Sequence, residues 1–116
     1  MNTRDKMYIE HIIAHYEELQ KALAEINDNY DDFLDSKVHR KAITFDLFQI
    51  GELFNHLSSD IKTNFSSEDV SGIKNIRNCI AHGYVHIEND ELWDTAHHDV
   101  LRIVSVIKDL KELELI

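Results

Sequence analysis

An all-α fold, an antiparallel four-helix up-down bundle with room for a short extra helix, is what this sequence predicts. Three observations carry that expectation. The 116 residues contain no proline and only three glycines, so the chain has few breakers. Its apolar residues recur with a helical period nearly everywhere. Composition shifts and low-complexity tracts that would mark a linker are missing, so residues 1–116 read as one domain. A domain of this size buries roughly 65% of its unfolded surface, enough for a core without staples.

The elements follow in order. The ladder Ile9, Ile12, Tyr16, Leu19, Leu23, Ile26, Tyr30 steps by three and four, which lays one apolar stripe along a helix at about 3–28. Asn27, Asp28 and Asn29 can break it. A second ladder, Ile43, Leu47, Ile50, Phe54, Leu57, Ile61, places a helix at about 35–62. The third is shorter: Val70, Ile73, then Ile76 or Arg77, then Ile80, within about 68–82. Ser66 and Ser67 offer an N-cap there, Glu68 and Asp69 suit the positive end of the helix dipole, and Gly83 stands where a C-terminal glycine belongs. The last ladder, Trp93, Ala96, Val100, Ile103, Ile107, Leu110, predicts a helix at about 90–114. Phe45, Phe48 and Leu53 widen the second apolar face; Leu92, Leu101 and Val104 widen the last. A homodimer interface and a broad core contact both account for that surplus.

Charge narrows the function. Lys and Arg number 12 against 22 Asp and Glu, a formal net charge of −10. A protein that coats nucleic acid needs a broad basic surface, so that class is excluded, while a small local site is not. The single cysteine, Cys79, rules out an internal disulfide framework and fits a reducing cytoplasm. No apolar run approaches a membrane span, and the first residues lack the apolar stretch of a signal peptide. The expected location is therefore cytoplasmic, away from the membrane.

The acids are unevenly spread. The longest stretch without Asp or Glu runs from Val70 to Ile87, eighteen residues that carry Lys74, Arg77, His82 and His86. The next, Ser36 to Phe45, holds Lys37, His39, Arg40 and Lys41. These are the places where a phosphate would not be repelled. Arg77 falls on the third apolar ladder, where an unpaired charge is expensive to bury. Either it meets a carboxylate such as Glu52, or it faces a cleft that takes an anion. Asn78 and His82 lie four apart and share a helix face. Tyr84 follows past Gly83. A cation, an amide, an imidazole and a phenol thus gather at one helix end.

That set suits phosphodiester chemistry on RNA. Histidine titrates near neutrality and can take the proton of a ribose 2′-OH or give one to the leaving oxygen. Arginine can hold the phosphate bidentately and stabilise the charge that develops on it. Neither a metal nor another cofactor is required. Pairs such as His11 and His15, His82 and His86, or Asp94 and His97 have metal-ligand spacing. A bundle metal site, however, draws ligands inward from several helices, and His11 and His15 lie off the apolar stripe, toward solvent. His97 and His98 follow Ala96, near the site or on the surface. Cys79 reads as a small buried hydrophobe.

From about Arg40 to Leu110 the chain resembles the HepT-like branch of the HEPN superfamily, small helical bundles with an Arg, a polar residue, and a His a few residues on. Ile50-Gly51-Glu52 looks like the branch's "IGE". Arg77-Asn78 through His82-Gly83-Tyr84 looks like its R-N-x-x-x-H-x-Y signature, and Trp93 like its aromatic after an acidic turn. One departure is that Val70-Ser71-Gly72-Ile73 lacks the tryptophan usual just before the Arg. The resemblance implies a HEPN-type ribonuclease toxin that cleaves RNA (tRNA or mRNA) at a composite cleft of a homodimer. Arg77, Asn78 and His82 would be its catalytic residues, with Glu52 and Lys74 supporting the site or binding RNA. It further implies a cognate nucleotidyltransferase antitoxin of the MntA kind that silences the toxin by transferring AMP to Tyr84. The alternative is a non-catalytic partner that presents nucleotide or substrate to such a nucleotidyltransferase.

Overall fold

The computed structural model describes residues 2–82 and 88–116. Among them every regular element is helical. Helix α1 spans Thr3–Glu25, α2 Tyr30–Asp35, α3 Lys37–Asn55, α4 Ser59–Lys62 and α5 Ser67–Ala81. The last stretch is continuous: α6 (Asn89–Asp94), a π-helical turn (Thr95–Asp99) and α7 (Val100–Glu112). The protein is an all-α helical bundle. Helix α1 packs along α3, α3 along α5, and α5 against the π turn and α7, which also touches α1.

Local chemistry explains the boundaries. Asn2 caps α1: its Oδ1 accepts from the Asp5 N–H at 2.7 Å. The helix stops at Glu25, short of the expected 28, because Asn27 and Asp28 take left-handed backbone angles (φ 57° and 50°). Asparagine and aspartate tolerate that region better than most residues. Asn29 then caps α2 by accepting from the Asp32 N–H, and Ser36 and Ser66 cap α3 and α5 in the same way.

The second long helix was expected to run to 62, but the structure breaks it after Asn55. Asp5, 2% exposed, reaches across from α1 and accepts from both the Ser58 N–H (2.9 Å) and the Ser58 hydroxyl (2.7 Å). Ser58 is thereby held extended, and α4 starts afresh behind it. Leu57, Ile61 and Phe65 still bury, so the apolar ladder survives a break in the backbone. Two short helices, α2 and α4, join the four long stretches.

The core is the set of ladder residues. Ile12, Leu19, Ile43, Leu47, Ile50, Val100, Ile103 and Ile107 are wholly enclosed. Each such side chain is worth about 1.5–3 kcal/mol of transfer free energy. Of the surplus apolar residues, Leu92 and Val104 enter this core, whereas Phe45 and Leu101 stay exposed. Trp93 seals the end of the bundle, with ring centroids 5.2 Å from Phe33 and 5.4 Å from Tyr30, so α2 is pinned to α6. None of the described helices is long and apolar enough to cross a membrane.

Candidate functional site

The third ladder left position 76 or 77 open, and packing decides it. Ile76 goes into the core at 4% exposure, and Arg77 turns toward α3. There its Nε donates to Glu52 Oε1, and its Nη1 donates to Asn78 Oδ1 at 2.8 Å. Arg77 and Glu52 are both about one-quarter exposed, at 28% and 26%. The pair is therefore partly shielded from water, with one edge open. Nη2 meets no acceptor among the described residues.

Glu52 is thus a partner of Arg77 rather than a solvated surface carboxylate. Gly51 has a different part in the same contact. A methyl group on Gly51 would stand 2.6 Å from Arg77 Cβ and 3.1 Å from its Cγ. Only glycine lets the arginine stem lie flat on α3, one residue from the carboxylate that holds its head. The Ile50-Gly51-Glu52 triplet is therefore three adjacent contacts: core, stem and head group.

His82 is the C-terminal cap of α5 and is exposed, and its N–H donates to the Asn78 carbonyl at 3.1 Å. The helix thus carries Arg77, Asn78 and His82 at one end, as their spacing requires. Lys74 lies a turn earlier, is exposed, and lines a small cleft with Gly51, Asn55 and Lys62. Tyr84, Gly83 and His86 fall outside the described residues.

Two clefts of opposite charge stand out. One, about 420 Å³, is lined by Lys37, Arg40, Lys41, Thr44, Phe45, Asn89 and Leu92. It gathers the cations of the second acid-free stretch. Arg40 Nη1 donates to the carbonyls of Phe33 and Leu34, neutral acceptors that leave its charge uncancelled. Helices α3 and α5 run antiparallel, since Val70 lies near Phe54 and Asn55, and Arg77 near Gly51. The α5 terminus therefore points back toward the half of α3 that carries this groove. Phe45 and Thr44 were not singled out from sequence as groove residues. The signal available was their place in an acid-free run of α3.

The other cleft, about 300 Å³, lies between α5 and the last helical stretch and is acidic: Glu91, Asp94 and Asp99 line it beside Asn75 and Cys79. Cys79 is half-buried there, so the expectation of an enclosed hydrophobe is corrected. The π turn forms part of this wall, and Gly72 lets Asp99 approach α5: a Cβ there would meet Asp99 Oδ2 at 2.6 Å. Burial raises the Asp99 carboxyl above the usual range, Arg102 pulls it back down, and Asp69 adds to the rise.

The histidine pairs resolve differently from their spacing. His97 does not join Asp94; its Nδ1 lies 2.7 Å from the Trp93 carbonyl and its Nε2 2.6 Å from Asp28. His11 is exposed as expected, but His15 is not turned away to solvent: Nδ1 lies 3.0 Å from Asp46 on α3. A stripe read along one helix cannot show a partner presented by another.

Comparison with known proteins follows the motif. A family model described as Ribonuclease HepT-like matches residues 10–112. Two proteins of Methanocaldococcus jannaschii whose names assign them provisionally as RNases are similar to the chain. One is 28% identical over 86 residues, covering 71% of each chain. The other is 23% identical over 117 residues, covering 97% of this chain and 99% of its own. No solved structure gives a significant match.

Proposed function

Because the chain belongs to the HepT-like ribonuclease family, we propose that it is a metal-independent endoribonuclease acting as the toxin of a toxin–antitoxin pair. The observation that carries this reading is the setting of Arg77. Its guanidinium is fixed by Glu52 and Asn78 and keeps one nitrogen without an acceptor among the described residues, on the helix end that bears His82. A fixed, partly shielded guanidinium is worth more to a developing phosphate charge than a solvated one.

In this mechanism the scissile phosphate binds Arg77. A ribose 2′-oxygen attacks the adjacent phosphorus as its proton is removed, and the 5′-oxygen departs and is protonated. The products are a 2′,3′-cyclic phosphate and a 5′-hydroxyl. His82 performs one of the two proton transfers. In a homodimer, His82 of the second copy would be available for the other, and Phe45 and Leu101, 54% and 40% exposed, are apolar surface for such an assembly. Asn78 orients Arg77. The Lys37–Arg40–Lys41 groove supplies a path for the RNA strand that the acidic remainder of the surface does not.

Silencing would use Tyr84. A nucleotidyltransferase partner joins the Tyr84 oxygen to the α-phosphorus of ATP, with loss of the phenolic proton and release of pyrophosphate. The adduct sets a negative charge two residues from His82, where it would occupy Arg77.

Expression of wild type and His82→Ala in cells, with survivors counted and RNA cleavage assayed on purified protein, tests the first step. The expected result is loss of viability and cut RNA with wild type alone. Equal survival with intact RNA overturns it, and nucleotide binding that survives His82→Ala then identifies a non-catalytic partner of a nucleotidyltransferase. Co-expression with that partner should add the mass of AMP, and Tyr84→Phe should abolish the addition; an adduct that persists in the variant moves the modification elsewhere.

A further inference from the structure

The contact of His15 with Asp46 includes a third side chain. Glu18 follows His15 by three residues on α1, and its Oε2 stands 3.6 Å from His15 Nδ1. Asp46 Oδ1, from α3, stands 3.0 Å from the same nitrogen. One ligand atom from each of the three residues lies within 4.8 Å of the others. Tetrahedral zinc with bonds of about 2.0–2.1 Å spaces its ligands roughly 3.3 Å apart. The two measured separations bracket that edge.

Burial grades across the cluster. The Asp46 side chain is 5% exposed, His15 20% and Glu18 66%. The inner carboxylate is fixed, the imidazole is half-fixed, and the outer carboxylate is able to swing in from solvent. Phe45 walls one side, its ring centroid 5.9 Å from that of His15 in an edge-on arrangement. Two carboxylates therefore converge on one imidazole nitrogen, from two different helices.

We propose that His15, Glu18 and Asp46 form a binding site for one borderline divalent metal ion, of the zinc, cobalt or nickel class, that clamps α1 to α3. An imidazole with two carboxylates is a ligand set for these ions, whereas magnesium and calcium take all-oxygen shells with more ligands. The fourth position is left to water on the exposed Glu18 side. The site is separate from Arg77 and His82, and its role is to fix α3, which carries Glu52 six residues after Asp46. It does not depend on the chain being a ribonuclease.

The test uses the whole chain, stripped with a chelator and titrated with Zn²⁺ alone by calorimetry, with Co²⁺ absorption as a second readout. One ion per chain should bind, with the visible bands of four-coordinate Co²⁺. The melting temperature should climb with zinc concentration, as for any ligand that prefers the folded state. Asp46→Asn and His15→Gln should each weaken binding at least about tenfold and remove the thermal shift. Should the buried variants fail to fold, Glu18→Gln on the exposed rim gives the same reading, with weaker binding and altered Co²⁺ bands. Absence of saturable binding at one equivalent overturns the proposal. So does affinity that is unchanged in folded Glu18→Gln and in whichever of the other two variants folds, since it would place the ion on other histidines.

Discussion

Arg77 and Arg102 both tie one helix to another through carboxylates, yet their surroundings differ in charge. Arg102, on α7, donates from Nε to Asp69 at 2.7 Å and from Nη2 to Asp99 at 2.6 Å. Two acids face one cation, and Asp69 is 5% exposed. Arg77 has one acid, Glu52, and a neutral amide, Asn78. The first site is over-neutralised and would repel an anion; the second is balanced and still has a donor to offer. What separates the two arginines is the second partner: a carboxylate for Arg102, an amide for Arg77.

The strongest way to break that contrast is to remove each cation. Arg77→Met should cut RNA cleavage by about 10²-fold or more, as expected for losing a donor to the transition-state charge. Arg102→Met should lower the melting temperature and leave the cleavage rate per folded molecule unchanged. Similar losses of rate from both would mean that Arg77 acts through the fold alone.

A sharper version converts one setting into the other. Asn78→Asp gives Arg77 two acids, as Arg102 has. RNA binding should weaken by about tenfold or more, since a like charge set against an anion is unfavourable in a shielded site. Binding that stays at the wild-type level would show that the phosphate sits elsewhere.

Gly51→Ala leaves every charge in place and moves the stem. The new methyl overlaps Arg77 Cβ, and overpacking of this kind costs about 1–3 kcal/mol. Stability should fall by that amount in urea unfolding, with cleavage reduced beyond the loss of folded protein as the guanidinium is displaced from Glu52. Gly72→Ala, its counterpart at Asp99, should lower stability without the extra loss of activity.

The smallest effect concerns pH. The Asp99 carboxyl is held above its ordinary value by burial, so its protonated form is favoured in the folded state. That contribution is fully present below the unfolded carboxylate pKa of about 4 and is lost as pH rises through the raised folded value. Asp99→Asn should flatten the pH dependence of stability over that interval in thermal melts. A curve of unchanged slope would assign the dependence to other acids.

Much of this was legible in the sequence, for identifiable reasons. Helical periodicity survives because a buried stripe must recur on one face, and the four ladders fill the core almost residue for residue. Caps are local, so Ser66 could be read from its neighbours alone. Arg77 beside Glu52 was one of two readings that the cost of burying a lone charge allowed. Distant partners were beyond reach. Nothing near Ser58 in sequence announces Asp5, fifty-three residues away, so the break in the second helix was missed. Nothing on α1 announces Asp46, so His15 was assigned to solvent.

By itself the sequence determined an all-α bundle, its core stripes and the grouping of Arg77, Asn78 and His82 on one helix end, because each depends on spacing within a single helix. Tertiary structure decided which of Ile76 and Arg77 enters the core, why Gly51 must precede Glu52, and which acid each cation and imidazole meets. Those outcomes depend on where two helices touch. That contact is set by the packing of both surfaces together, and no periodicity within either one contains it.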